Sequence, residues 1–189
     1  MRSLIFLALA SLSASAAAFT IDDVEFWVGS GSNRSVFVVD FQANTPSSFA
    51  WGFRWDGDAT GADALRAVEA ADWNLSGAIF GSGAGTYLDS MTYHHPTTRA
   101  TYEGATWPNG WWSFWTKTPG SDWVESQVGA GSTTLTNEGW TAWSYNVGTD
   151  FNPPAPNEPG AAPVPEPATL AALGLGALAL LRRRVGSRR

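Results

Sequence analysis

Acidic side chains crowd one short stretch of this chain, Asp56-Gly57-Asp58-Ala59-Thr60-Gly61-Ala62-Asp63. Oxygen-bearing residues stand at positions 1, 3 and 5 with glycine at 6, the spacing of a calcium loop. Position 12, where such a loop needs a bidentate Glu, is Ala67, and Glu69 comes two residues late. The stretch therefore reads first as a turn that caps a helix with acids favourable to its dipole. Calcium held by Asp56, Asp58, Thr60 and Asp63 is the alternative, and no other cofactor is expected. His94-His95 is the other metal-type pair, but neighbours on a strand point to opposite faces, which disfavours one shared site. The glycine-rich 81–85 stretch lacks both the Lys-Ser/Thr and the spacing of a nucleotide loop. No Gly-x-Ser-x-Gly elbow occurs, and with no cysteine, thiol catalysis and Cys-based zinc sites are excluded. No catalytic residue is nominated, and the domain is expected not to be an enzyme.

The more suggestive set is aromatic. All 11 tryptophans lie between Trp27 and Trp143. Seven of them, Trp107, Trp111, Trp112, Trp115, Trp123, Trp140 and Trp143, form the candidate ligand surface. On one strand Trp111 and Trp115 share a face, while Trp112 and Phe114 take the other. Either face can be core; an exposed coplanar set would stack on sugar rings or another flat ligand.

The elements that position these residues are mainly strands. Residues 24–28 and 35–41 read as strands around a turn-rich 29–33. Phe37, Val39 and Phe41 fall on one face. Residues 49–55, with four aromatics alternating with small residues and Arg54, have the period of a half-buried strand. Ala62, Leu65, Val68 and Ala71 then change the period and predict one amphipathic helix over 61–71, capped by Thr60 with Asp63 at its third position. Residues 77–85 read as loop, 86–93 as a strand and 99–102 as a short one. Strands are expected again at 111–117, 122–128 and 141–147, the first two as a hairpin. This order predicts a mainly β or α+β domain: a single, mostly antiparallel sheet or sandwich with one short helix.

Both ends read as addresses. Arg2, an apolar stretch over 4–10 and Ala16-Ala17-Ala18 before Phe19 fit a secretory signal peptide over 1–18, cut after Ala18 or after Ala16. The exported domain then spans 19–151. Seven of the 11 prolines fall between 152 and 167; residues 152–163 are expected to be a polyproline-like linker holding the domain away from the bilayer. Between 19 and 165 stand 16 acidic side chains against five basic ones, a net −11. That surface repels phosphate backbones, so no nucleic-acid partner is expected.

Residues 164–189 combine Val164-Pro165-Glu166-Pro167, an apolar run over 168–181, and Arg182-Arg183-Arg184. Fourteen apolar residues are short for a transmembrane helix, which needs about 20, and flanking arginines can snorkel to extend it. The arginine cluster belongs on the cytoplasmic side. This tail resembles the PEP-CTERM sorting signal of Gram-negative exported proteins. The resemblance implies processing by an exosortase at or near Pro-Glu-Pro, an inner-membrane-anchored precursor, and delivery to the envelope, cell surface or medium.

A second stretch, Trp111-Trp112-Ser113-Phe114-Trp115, then Trp123, then Gly139-Trp140-Thr141-Ala142-Trp143-Ser144-Tyr145, is similar to the small β domain of transcobalamin-like proteins. That likeness implies a corrinoid-like flat ligand and assigns no site residue. The expectation is a non-enzymatic structural or adhesive protein of the extracellular matrix, with exopolysaccharide as a partner. The alternative is a binding module for a glycan or another flat ligand.

Overall fold

The structure is a computed structural model that describes residues 18–42, 47–81, 83, 86–106, 110–148 and 152–165. The signal-peptide stretch 1–17, Trp107, Glu166-Pro167, the apolar run and Arg182-Arg183-Arg184 lie outside the described residues.

Among the described residues, ten strands form two sheets on either side of one helix-covered core. The larger sheet runs in the order β1 (Trp27–Gly29), β3 (Ser48–Trp55), β2 (Asn33–Asp40), β9 (Trp140–Val147), β7 (Gly110–Lys117), β8 (Val124–Glu125). A tenth strand, β10 (Gly160–Ala161), also pairs with β3. The smaller sheet is an antiparallel meander of β4 (Leu75–Phe80), β5 (Tyr87–His94) and β6 (Thr101–Ala105).

Alternation in β3 builds the core. Phe49, Trp51, Phe53 and Trp55 point to one face and are all buried. Phe37, Val39 and Phe41, with Trp112 and Phe114 of β7 and Trp143 and Tyr145 of β9, extend that face across the sheet. Helix α1 (Gly61–Ala71) covers it with Ala62, Ala64, Leu65 and Val68, and the small sheet with Leu75, Leu88, Met91 and Tyr93. Tyr93 packs against Phe49 and Trp51 at ring separations of 4.8 and 5.3 Å.

The helix lies where its period places it. Thr60 accepts from the Asp63 N–H, and the Asp63 carboxylate accepts from the Thr60 N–H and hydroxyl, a reciprocal capping box. At the other end buried Asp72 accepts from Trp51 Nε1 at 3.0 Å and from the Asn74 backbone and side-chain N–H groups. The helix is thereby pinned at both ends.

The mainly β, mostly antiparallel architecture with one helix is as expected, with three parallel pairings in the larger sheet: β1 and β10 run parallel to β3, and β2 parallel to β9. Three expectations are corrected. Residues 75–80 form a strand where 77–85 read as loop; Gly77 and Ala78 mask its alternation, and the Glu69 carboxylate and Leu88 side chain lie against Gly77. The strand expected over 122–128 is reduced to β8. The proline-rich stretch does not leave the domain as a free spacer. Its prolines flank a window, Gly160-Ala161-Ala162, that keeps its N–H groups, and there the chain joins the sheet, with Ala162 N donating to Ala50 O at 2.9 Å.

Gly52 shows how closely the second face of the sheet is approached. A Cβ there would lie 2.2 Å from the Trp27 ring, which crosses the strand at that point. Gly52→Ala is expected to cost about 1–3 kcal/mol by overpacking, read as a lower denaturation midpoint. A loss below about 0.5 kcal/mol, the ordinary range of a surface change, would refute the Trp27 placement.

Candidate functional site

The second face of the large sheet carries the candidate site, and strand register sorts its residues into rows. At one end Ser48, Asp40, Ser144 and Ser113 stand side by side across β3, β2, β9 and β7. Two residues along come Ala50, Val38, Ala142 and Trp115, and beyond them Gly52, Val36, Trp140 and Lys117. The face thus grades from a polar row, through a small apolar row, to an aromatic and cationic one.

The polar row is a clasp for the segment after β9. Asp40 is wholly buried with no ion-pair partner among the described residues, and its carboxylate accepts from four N–H groups. Gln42 supplies its backbone N–H at 3.0 Å and Nε2 at 2.9 Å; Asn157 supplies its N–H at 2.6 Å and Nδ2 at 3.4 Å. Gln42 sits at φ 54°, which turns both its donors back toward Asp40. Gln42 also donates to Ser144 and to the Ala155 carbonyl, and Ser48 donates to the Asn157 carbonyl. Burial pushes the Asp40 carboxyl up, and the Asn157 and Gln42 donors pull it back. A raised acid costs the fold progressively as pH climbs from about 3.8 through the folded value, because the native state holds its proton longer. The clasp hydrogen bonds offset that cost.

Residues 152–165 form a strap over this end of the sheet. Together β10 and β1 close the β3 edge end to end, one against Phe49 and Ala50, the other against Gly52, Phe53 and Arg54. The N-terminal segment covers the middle of the face with Phe19, Ile21 and Val24. It meets the strap where the Phe19 backbone N–H donates to the Glu158 carboxylate.

The six described tryptophans of the nominated seven do not form one platform. Trp112 and Trp143 are in the core and Trp115 is buried beneath the second face; Trp111, Trp123 and Trp140 are half-buried. Strand alternation sends them to opposite sides. Trp123 and Trp140 meet at 83° rather than stacking, with Lys117 Nζ 5.7 and 5.2 Å from their ring centres. The exposed stacked pair is elsewhere: Phe80 and Tyr87, directly paired across β4 and β5, lie 5.8 Å apart at 23° and are about half exposed. Sequence reasoning missed it because Phe80 falls in the stretch read as loop.

Two of the three carboxylates of the 56–63 stretch are engaged by local structure, while Asp58 is exposed. Asp56 accepts from the Ser32 N–H and hydroxyl at 2.9 and 3.0 Å, and Asp63 from Thr60. Among the described residues no three His, Cys, Asp or Glu side chains come close enough to hold a metal ion. His94 hydrogen-bonds Thr101. His95 turns away from it, its Nδ1 accepting from the Thr97 and Thr98 N–H groups. Burial lowers the His95 pKa, in keeping with a neutral ring.

Comparison with known proteins identifies one motif, in the tail. The PEP-CTERM protein-sorting motif matches residues 163–185, beginning where the strap leaves the fold. No curated protein and no solved structure matches the chain. The chain carries an exosortase sorting signal, with export and a membrane-anchored precursor as its consequences.

The strap makes the clasp testable. Asp40→Ala removes the acceptor of four N–H groups, two of them in the strap, at an expected cost of about 2–3 kcal/mol. Hydrogen exchange at the Asn157 and Ala162 amides should accelerate well before global unfolding. Unchanged exchange at both would mean that β10 pairing alone holds the strap.

Proposed function

We propose that the chain is an exported, exosortase-processed protein whose β domain has a structural or adhesive role at the cell surface or in an exopolysaccharide-containing matrix, without enzymatic activity. The observation that carries this reading is the strap. Residues 152–162 belong to the folded domain and the sorting motif starts at 163, so the cargo and its address are continuous. An acidic surface with a net −11 over 19–165 suits a protein that stays dispersed outside the cell. Residues 1–18 act as a signal peptide. Cleavage after Ala18 would free the Phe19 α-amino group beside Glu158, turning a backbone hydrogen bond into an ion pair that ties the new N-terminus to the strap.

Replacing Pro165, Glu166 and Pro167 with alanine is the direct experiment. The variant is expected to accumulate as a membrane-bound precursor, whereas the parent is released with an intact mass that starts at Phe19. Normal release of the variant would remove exosortase from the account, and a start at Ala17 would remove the Phe19–Glu158 pairing.

A second reading, binding of a glycan or other flat ligand, is favoured by the exposed Phe80–Tyr87 stack. Two rings held nearly parallel at a hairpin end offer an apolar plane of the size of a sugar ring. Calorimetric titration with a panel of neutral oligosaccharides should give binding that Tyr87→Ala weakens at least about tenfold, roughly 1.4 kcal/mol. Heat that is identical for both proteins would place any binding elsewhere.

A further inference from the structure

The strap ends in a cleft of about 430 Å³ whose walls include Trp73, Pro96, Thr97 and Arg99 beside Pro163 and Val164. Trp73 is 77% exposed although its neighbours Asp72 and Asn74 are buried. The buried Asp72 carboxylate, by capturing the Asn74 N–H groups, fixes the turn that holds this indole out in water. Val164, at the other side, is 53% exposed. Arg99 is held equally firmly. Its N–H donates to the His95 carbonyl, the His95 N–H donates to Ala100, and φ at Arg99 is 63°. Its guanidinium is exposed and has no ion-pair partner among the described residues. None of the residues lining the cleft carries a carboxylate, in a domain with a net −11.

We propose that this cleft rim is the membrane-facing surface of the anchored precursor, with Trp73 seated among lipid headgroups and Arg99 on lipid phosphate. The reading rests on anchoring by the tail. Only two residues, Glu166 and Pro167, separate Pro165 from Ala168, the first of the apolar run, so three steps of the chain keep the rim within about 10 Å of its entry into hydrocarbon. The headgroup layer is itself about 5–8 Å deep. A tether this short brings the rim to the interface, where tryptophan is the preferred side chain and arginine meets phosphate. The domain's net negative charge disfavours anionic lipid in general, and this rim combines the absence of carboxylates with direct continuity to the tail, which selects it over the Lys117 end of the sheet. Because 162 is fixed in the sheet and only 163–167 intervene, the domain sits close to the bilayer with a defined orientation.

The chain has no cysteine, so single labels can be placed at will. Full-length precursor carrying Thr97→Cys, labelled with an environment-sensitive fluorophore, would be reconstituted in phosphatidylethanolamine–phosphatidylglycerol vesicles. Gln127→Cys, beyond β8 at the opposite edge of the sheet, is the control. The label at 97 is expected to shift to the blue and be quenched by brominated lipid, while that at 127 stays water-like. Trp73→Ala with Arg99→Ala should return the 97 label to its water-like emission while the protein still co-sediments with vesicles. A water-like label at 97 in vesicle-bound precursor would overturn the proposal, as would equal shifts at 97 and 127. If the double variant leaves the 97 emission shifted but slows exosortase cleavage, the rim docks the protease instead, and the lipid assignment is wrong. Precursor that fails to co-sediment would refute anchoring itself, a separate failure.

Discussion

The two-sided alternation of β3 is the constraint on which the rest depends. Its odd positions, Phe49 to Trp55, are aromatic and supply the centre of the core; its even positions, Ser48, Ala50 and Gly52, are small. Large residues on one face draw in the helix and the small sheet. Small residues on the other let backbone and ring approach: Trp27 lies on Gly52, and Arg54 stacks 4.8 Å from the centre of that indole. The free edge of the same strand then takes β1 and β10. An exposed, aromatic, eight-residue edge would be a template for aggregation. Here both ends of the domain cover it, so fold integrity depends on residues far apart in sequence.

The strap is held by two kinds of bond with different physical character. Main-chain pairing at Gly160 and Ala161 is directional and local. The Asp40 clasp is electrostatic and buried, and four N–H donors, two from Gln42 and two from Asn157, satisfy its carboxylate. A buried carboxylate without a cation is expensive unless satisfied in this way. Asp72 repeats the arrangement on the other side of the sheet, using Trp51 and Asn74 as donors. Each acid fixes a turn whose outward residue matters: Asp40 positions the strap, Asp72 positions Trp73.

Legibility in the sequence followed the strength of periodicity. The helix over 61–71 was readable to the residue, because Thr60 and Asp63 mark its start and the spacing changes from two to three. The strands containing Phe37, Trp51, Trp111 and Trp143 were readable from alternating bulk. Strand β4 was not, since Ser76, Gly77 and Ala78 carry no bulk to alternate. Parallel pairing was not, because register between strands distant in sequence leaves no local mark. The strap was hidden by its prolines, whose missing donors argue against a sheet, although Gly160, Ala161 and Ala162, which bond to β3, form its one run of three residues without proline. The tryptophan cluster was legible as two faces and illegible as a surface: burial depends on what covers each face, and that cover comes from α1 and the small sheet on one side and from residues 19–24 and 152–162 on the other.

The tail therefore cannot be treated as a label tied loosely to an independent cargo. The matched motif opens at 163, one residue after Ala162, whose side chain is fully buried and whose N–H completes the β3 edge. A cut at Pro-Glu-Pro removes none of the contacts that hold the strap, so the released domain keeps its closed edge, its clasp and its core. A cut before β10 would uncover Phe49 and Ala50 and free the donors of Asp40. Continuity of fold and motif thus restricts where processing can occur without exposing a sheet edge. The strap supplies that restriction through its anchored points, the Asn157 N–H on Asp40, the pairing of Gly160 and Ala161 with β3 and the Ala162 N–H on Ala50, all of which lie before the matched motif.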